Sequence, residues 1–206
     1  VIGALGVHWI QCGCIIATPS AGCEAATPPT RAKIMNERSF LPLQIAVLTV
    51  SDTRTFETDG SGQLLENSIL EAGHHRPVRK IVTDNPYAIR AVLSDWIAQP
   101  EIDVILSTGG TGVTGRDGTP EAARVLFDKT LDGFGETFRT LSFEEIGSST
   151  IQSRALAGVA NGTYIFCLPG SSGACRLGWE KIIRPQLDSR TRPCNLVQLI
   201  PRLKEN

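Results

Sequence analysis

Much of what would place this chain in a specialised class is missing from it. No apolar run reaches the roughly 18 unbroken residues that a membrane span requires, so no membrane association is expected. Basic and acidic residues number 20 and 21, leaving a formal net charge of −1. Neither half is strongly basic, and no nucleic-acid footprint is indicated. Neither Gly-Lys-Ser nor Gly-Lys-Thr occurs, which excludes a Walker phosphate loop. The cysteines Cys12, Cys14, Cys23, Cys167, Cys175 and Cys194 form no C-x-x-C pair and no zinc-like spacing with histidine. They read as free thiols of a reducing cytosol, and Cys167, inside an apolar run, reads as a small buried hydrophobe. None sits in an activating context, and no Ser–His–Asp arrangement is suggested, so covalent catalysis is not expected. His74 and His75, which follow Gly73, read as solvated turn residues.

What remains is ordinary globular material. Hydrophobic residues make up 41% and charged residues 20% of 206 positions. That length suits one α/β domain with an appendage. Residues 1–34 mix Gly, Ala, Cys, Thr and Pro without a period, and Ala26-Thr27-Pro28-Pro29-Thr30 is linker-like. Val1 to Ile16 is fairly apolar but lacks the basic start of a secretory signal. Met35, the single methionine, stands just before the first patterned strand and reads as the natural start. Residues 1–40 are therefore expected to form an N-terminal extension, disordered or a mis-assigned leader, and 41–206 the folded domain.

Within that domain, Gln44–Val50, Val78–Val82, Asp103–Thr108 and Thr163–Leu168 read as strands, mostly continuous apolar runs of the kind buried in a parallel sheet. Helices are expected between them. One is capped by Ser61 and stopped by Gly73; one starts at Asn85-Pro86 and carries Ile89, Val92, Leu93, Trp96 and Ile97 on one face. Another opens at Thr119-Pro120-Glu121 with cap, proline and acidic first turn. A fourth runs past Phe134, Phe138, Leu141 and Ile146, and a fifth through Trp179, Ile182 and Ile183. Alternating strands and helices predict a mostly parallel sheet covered on both faces.

Ligands of open α/β sheets bind beyond the carboxyl ends of the strands. Those ends carry Ser51 and Asp52, then Asp84, then a glycine-rich loop from Thr108 to Glu121, then Pro169-Gly170-Ser171. Glycines let a backbone approach a ligand and present its N–H groups. The helix opening at Thr119 offers further amides to a phosphate, and Arg116 adds a forked cation. Gly110-x-Gly112-x-x-Gly115 matches the dinucleotide fingerprint, but the helix opens four residues after Gly115 and the loop belongs to the third βα unit, which disfavours a nicotinamide site. Asp84 and Asp117 would repel phosphate unless Mg²⁺ bridged them to it. Metal-assisted displacement at phosphorus follows.

The run Thr108-Gly109-Gly110-Thr111-Gly112, then Arg116-Asp117-x-Thr119-Pro120-Glu121-Ala122, resembles the signature of the molybdenum cofactor biosynthesis proteins of the MoaB/MogA type. Ser142–Gly147, Gln152-Ser153-Arg154-Ala155 and Arg190–Asn195 resemble the MoaB branch in particular, and the likeness spans about residues 40 to 200. The resemblance implies a three-layer αβα sandwich with Rossmann-like topology, assembled as a trimer or a dimer of trimers in the cytoplasm. It implies transfer of AMP from Mg-ATP to molybdopterin, with release of pyrophosphate, ahead of molybdate or tungstate insertion by a downstream protein. The family's two essential aspartates fall on Asp84 and Asp117, as catalytic and metal-holding residues. Ser51, Asp52, Thr108, Gly109, Gly110, Thr111, Gly112, Arg116, Thr119, Glu121, Pro169, Gly170 and Ser171 would bind nucleotide or molybdopterin. Ser172 replaces a second proline common in the transferase branch, which leaves a catalytically silent binding protein as the alternative.

Overall fold

The computed structural model describes residues 38–205. The expectations for residues 1–37, including the leader, Met35 and Cys12, Cys14 and Cys23, lie outside the described residues. Six strands form one sheet: β1 (Ile45–Val50), β2 (Arg79–Val82), β3 (Val104–Thr108), β4 (Lys129–Thr130), β5 (Leu156–Ala160) and β6 (Thr163–Leu168), in the order β2-β1-β3-β6-β5-β4. The pairs β1–β2, β1–β3 and β3–β6 are parallel. Every residue of β1, β3 and β6 is buried, which is why these strands read as apolar runs rather than alternating ones.

Alternate residues of each strand serve opposite faces. On one face Ile45, Val47, Val104, Leu106, Tyr164 and Phe166 pack with Leu65, Ile69, Phe134, Phe138 and Trp179. On the other, Ala46, Leu48, Ile105, Ile165 and Cys167 pack with Ile89, Val92, Leu93, Trp96 and Ala122. The result is the expected αβα sandwich. Its first face is covered by α1 (Gly60–Glu71), α4 (Asp132–Ile146), α5 (Ser172–Gly178), a π turn at Trp179–Ile183 and α6 (Arg184–Leu187). Its second face is covered by α2 (Pro86–Ile97) and α3 (Thr119–Arg124). Among the described residues, no helix is long and apolar enough to cross a membrane.

Three local expectations are corrected. Strand and helix do not alternate throughout: β5, Leu-Ala-Gly-Val-Ala, runs antiparallel to both β4 and β6. Asn161 (φ 48) and Gly162 (φ 84) make the two-residue turn from β5 into β6, and the positive φ at both positions suits Asn-Gly. The cap of α1 is Asp59 and not Ser61: its Oδ1 accepts from Gly62 N–H at 2.9 Å. The same buried carboxylate accepts from Thr49 Oγ1 at 2.6 Å and Arg79 Nη2 at 2.8 Å. Burial opposes its charge, but these hydrogen bonds outweigh it and hold its pKa below the ordinary 3.8. Finally, His74 is buried rather than solvated, because its Nδ1 accepts from Leu43 N–H at 3.2 Å. Its desolvation lowers its pKa from 6.5, against the opposing charge of Asp188.

Candidate functional site

The site is built where β1, β2, β3 and β6 end on one edge of the sheet. The chain leaves β3 through Gly109 (φ 102) and Gly110 (φ 63), backbone conformations that side chains rarely adopt. A Cβ on Gly109 would lie 2.2 Å from the Val50 carbonyl at the end of β1. A Cβ on Gly110 would lie 2.4 Å from Thr119 Oγ1 and 3.0 Å from Asp84 Oδ1. The first glycines are thus required by the crowding of strand ends against the loop. Gly112 plays the same part toward Asp117, whose Oδ2 would meet its Cβ at 2.7 Å. Asp84 and Asp117, distant in sequence, both pack against this one short stretch of glycine backbone.

Their environments differ. Asp117 accepts from Thr114 Oγ1 at 2.6 Å and Thr114 N–H at 2.8 Å, and Thr114 above all holds its carboxyl below the usual range. Among the described residues, the Asp84 carboxylate receives only a long hydrogen bond of 3.4 Å from Gly118 N–H. Burial first, and then the charges of Asp117 and Asp52, push its pKa up from 3.8. Asp52 accepts from Asp84 N–H at 3.2 Å and pairs with the exposed Arg116 at the rim.

The exit of β6 is tied to that of β3. Thr108 Oγ1 donates to the Pro169 carbonyl at 3.0 Å and lies 3.1 Å from Cys175 Sγ, while Gly109 N–H donates to Leu168 O at 3.0 Å. Ser171 caps α5 by accepting from Ala174 N–H at 3.2 Å. Cys175 and Cys167 are buried, and desolvation raises their thiols to about 11 and about 12, so neither is a ready nucleophile. Ser51 Oγ accepts from Thr53 and Arg54 N–H, which curls the chain at the end of β1.

These ends enclose a cavity of about 460 Å³. Ser51, Thr108, Gly109, Gly110, Thr111, Gly112, Asp117, Pro169, Gly170 and Ser171 line it. Asp84 stands behind Gly110, and Asp52 and Arg116 stay at the rim. Thr119 and Glu121 depart from expectation. Gly118 occupies the cap of α3, and the buried Thr119 hydroxyl donates to the Gly109 carbonyl at 2.9 Å. Thr119 N–H is also used, by Gly110 O at 3.0 Å, and Pro120 has no N–H. The start of α3 therefore anchors the loop, and its first amides are not free for a phosphate. Glu121 faces a neighbouring cavity of about 510 Å³ and pairs there with Arg154.

Sequence reasoning missed Thr49, Ser61, Ser142, Gln152 and Ser153, which also line the site. The polar run Asp59-Gly60-Ser61-Gly62 at the start of α1 was the available signal for Ser61. Ser142, Gln152 and Ser153 stood inside the branch motifs without a role.

Comparison with known proteins agrees with this geometry. Residues 46–189 match the family model described as a probable molybdopterin binding domain. The chain is 60% identical over 156 residues to molybdenum cofactor biosynthesis protein B of Escherichia coli (strain K12), covering 76% of this chain and 92% of that protein. A crystal structure of a molybdenum cofactor biosynthesis protein B superposes with a TM-score of 0.71 at 44% identity, over 73% of this chain and 94% of the other. The tungsten cofactor synthesizing protein MoaB from Pyrococcus furiosus does so with a TM-score of 0.63 at 37% identity, over 69% and 91%. The match over residues 46–189, together with 60% identity across 92% of that relative, shows that the chain belongs to the MoaB family of molybdenum cofactor biosynthesis proteins.

Proposed function

We propose that the protein is a molybdopterin adenylyltransferase that uses ATP and Mg²⁺. The carrying observation is that the Asp84 and Asp117 carboxylates pack against Gly110 and Gly112 of one loop beside a cavity of about 460 Å³. A terminal phosphate oxygen of molybdopterin attacks the α-phosphorus of ATP. The new P–O bond forms as the bond to the β-phosphate oxygen breaks, and pyrophosphate leaves.

The residues fit a magnesium ion. Among the described residues no cluster of three or more His, Cys, Asp or Glu forms a closed cage. Magnesium beside phosphate needs only one or two carboxylates, since phosphates and water supply its other ligands. Asp84 and Asp117 are such a pair, set against Gly110 and Gly112 of the same loop. A magnesium ion held by these two carboxylates would supply neutralisation of phosphate charge. The chain's own residues do the remaining work. The backbone from Gly109 to Gly112 allows close approach of the phosphates. Ser51, Ser171 and the Pro169–Gly170 turn, which line the same cavity, supply polar contacts. Arg116, exposed at the rim, is free to turn from Asp52 toward an entering phosphate. Catalysis is positioning together with charge compensation. The adenylylated product would then serve molybdate or tungstate insertion by a downstream protein, with the enzyme acting as a trimer or dimer of trimers in the cytoplasm.

Pyrophosphate release with Mg-ATP and molybdopterin tests the reading. Asp117→Ala should lower it by about 100-fold or more, the scale of losing one preorganised electrostatic group. Full turnover in that variant would remove Asp117 from the mechanism. A second reading, a silent molybdopterin- or nucleotide-binding protein, is favoured by Ser172 at the start of α5 in place of a second proline. Saturable molybdopterin binding without pyrophosphate release would establish it.

A further inference from the structure

Arg154 enters from outside the reaction cavity. It precedes β5 and stands next to a second cavity of about 510 Å³, which it shares with Glu121, Arg124 and Arg139. From there it reaches the back of the glycine loop. Its N–H donates to Thr111 O at 3.0 Å. Its Nε donates to Gly112 O at 2.6 Å and its Nη2 to Asp117 O at 2.6 Å. Its Nη1 pairs with Glu121 on α3. One planar cation thus joins both ends of the segment 112–117 and fastens it to the helix that follows. Hydrogen bonds from a charged donor are roughly twice as strong as neutral ones. A guanidinium can span two carbonyls and a carboxylate at once, which an ammonium cannot.

We infer that Arg154 is a positioning residue for Asp117: it holds the loop from behind at the setting in which the Asp117 carboxylate faces the reaction cavity. The inference rests on the adenylyl-transfer reading for its kinetic consequence, but the loop geometry it describes exists without turnover. Among the described residues the Arg154 guanidinium bonds to the Gly112 and Asp117 carbonyls and to Glu121, so its effect on the reaction passes through the loop.

The test compares Arg154→Ala, Arg154→Lys and the wild type in pyrophosphate release and in hydrogen exchange of amides 109–118. A misplacement of about 1 Å at a reacting group costs on the order of 100-fold in rate. Arg154→Ala should therefore lower kcat by roughly 10- to 100-fold, with KM within about threefold because binding elsewhere is intact. Loop exchange should rise in the same variant. Arg154→Lys, which keeps the aliphatic stem, should recover little. Millimolar guanidinium, entering through the second cavity, should restore part of the Arg154→Ala activity and slow its loop exchange, and should do nothing for Asp117→Ala. Wild-type kcat in Arg154→Ala would overturn the inference. If the wild type itself releases no pyrophosphate, the functional reading fails, and exchange alone decides the role of Arg154. Faster loop exchange that guanidinium reverses supports it, and unchanged exchange refutes it.

Discussion

Asp59 offers a sharp test of how the site is braced. Its carboxylate is 2% exposed and holds Arg79, Thr49 and the start of α1 together. Replacing it with alanine strips the buried Arg79 guanidinium, whose side chain is 5% exposed, of its nearest counter-charge. Breaking a buried pair from one side costs about 3–5 kcal/mol, and losing a helix cap costs about 1 kcal/mol. Glu66, 2.9 Å from Arg79 Nη1, retains part of the pairing and pulls the sum toward the lower end. The expected loss for Asp59→Ala is about 3 kcal/mol, read by urea unfolding at fixed protein concentration. Turnover should fall as well, since Thr49 and Ser61, both bonded to Asp59, line the cavity. The double variant Asp59→Ala/Arg79→Met should lose less than the two single losses added, because the stranded charge has gone. A loss under about 1 kcal/mol for Asp59→Ala, or strict additivity in the double variant, would refute the account. The pH dependence has a definite sign. Asp59 is held below its ordinary 3.8 in the folded state, so its contribution is present above that pH and is lost as pH falls through its folded value.

Two further outcomes follow from single residues. Gly110→Ala adds a Cβ at φ 63 and 2.4 Å from Thr119 Oγ1, and should destabilise the fold by about 2 kcal/mol or more while abolishing pyrophosphate release; wild-type melting and turnover would contradict the crowding at that position. His74 is neutral in the fold with a pKa lowered from 6.5, so its contribution is present above pH 6.5 and is lost as pH falls through the lowered value. Chemical denaturation between pH 7 and pH 5 should show that loss, and a His74→Gln variant should flatten it. Asp188, which attracts the charged form, and His75, which opposes it, are the neighbours that set its size.

The strands that were legible in the sequence are those whose environment is simplest. β1, β3 and β6 are buried on both faces, so composition alone marks them, and Asn85-Pro86 announces α2 with a cap that the structure contains. The shared edge was legible because topology places strand exits together, which sets Asp84, at the end of β2, and Asp117, in the loop after β3, on the same side of the sheet before any geometry is known. β5 was not legible. Ala157, Gly158 and Ala160 are all small, and at Gly158 a neighbour requires it: a Cβ there would stand 2.3 Å from the Phe127 ring. Small residues carry little periodic signal. Asp59 was passed over because Ser61 is an equally good cap by type, and only the hydrogen bond from Gly62 N–H to the Asp59 carboxylate decides between them. Arg154 lies 42 residues from the Gly112 carbonyl it holds, and no local pattern reports such a contact.

The reversed direction of β5 has a consequence for how this architecture can vary. In a wholly parallel sheet, only segments leaving strands reach the working edge. Here the entrance of β5 lies beside the exit of β6, with Leu156 opposite Cys167. The connection from α4, residues 147–155, is thereby delivered to the same edge, carrying Gln152, Ser153 and Arg154. Residues can be exchanged in that connection without altering any ladder of the four-stranded parallel core. Related chains that share the sheet and the aspartates can thus acquire different substrates or different rates by changing a segment that contributes nothing to the central strands' hydrogen bonding.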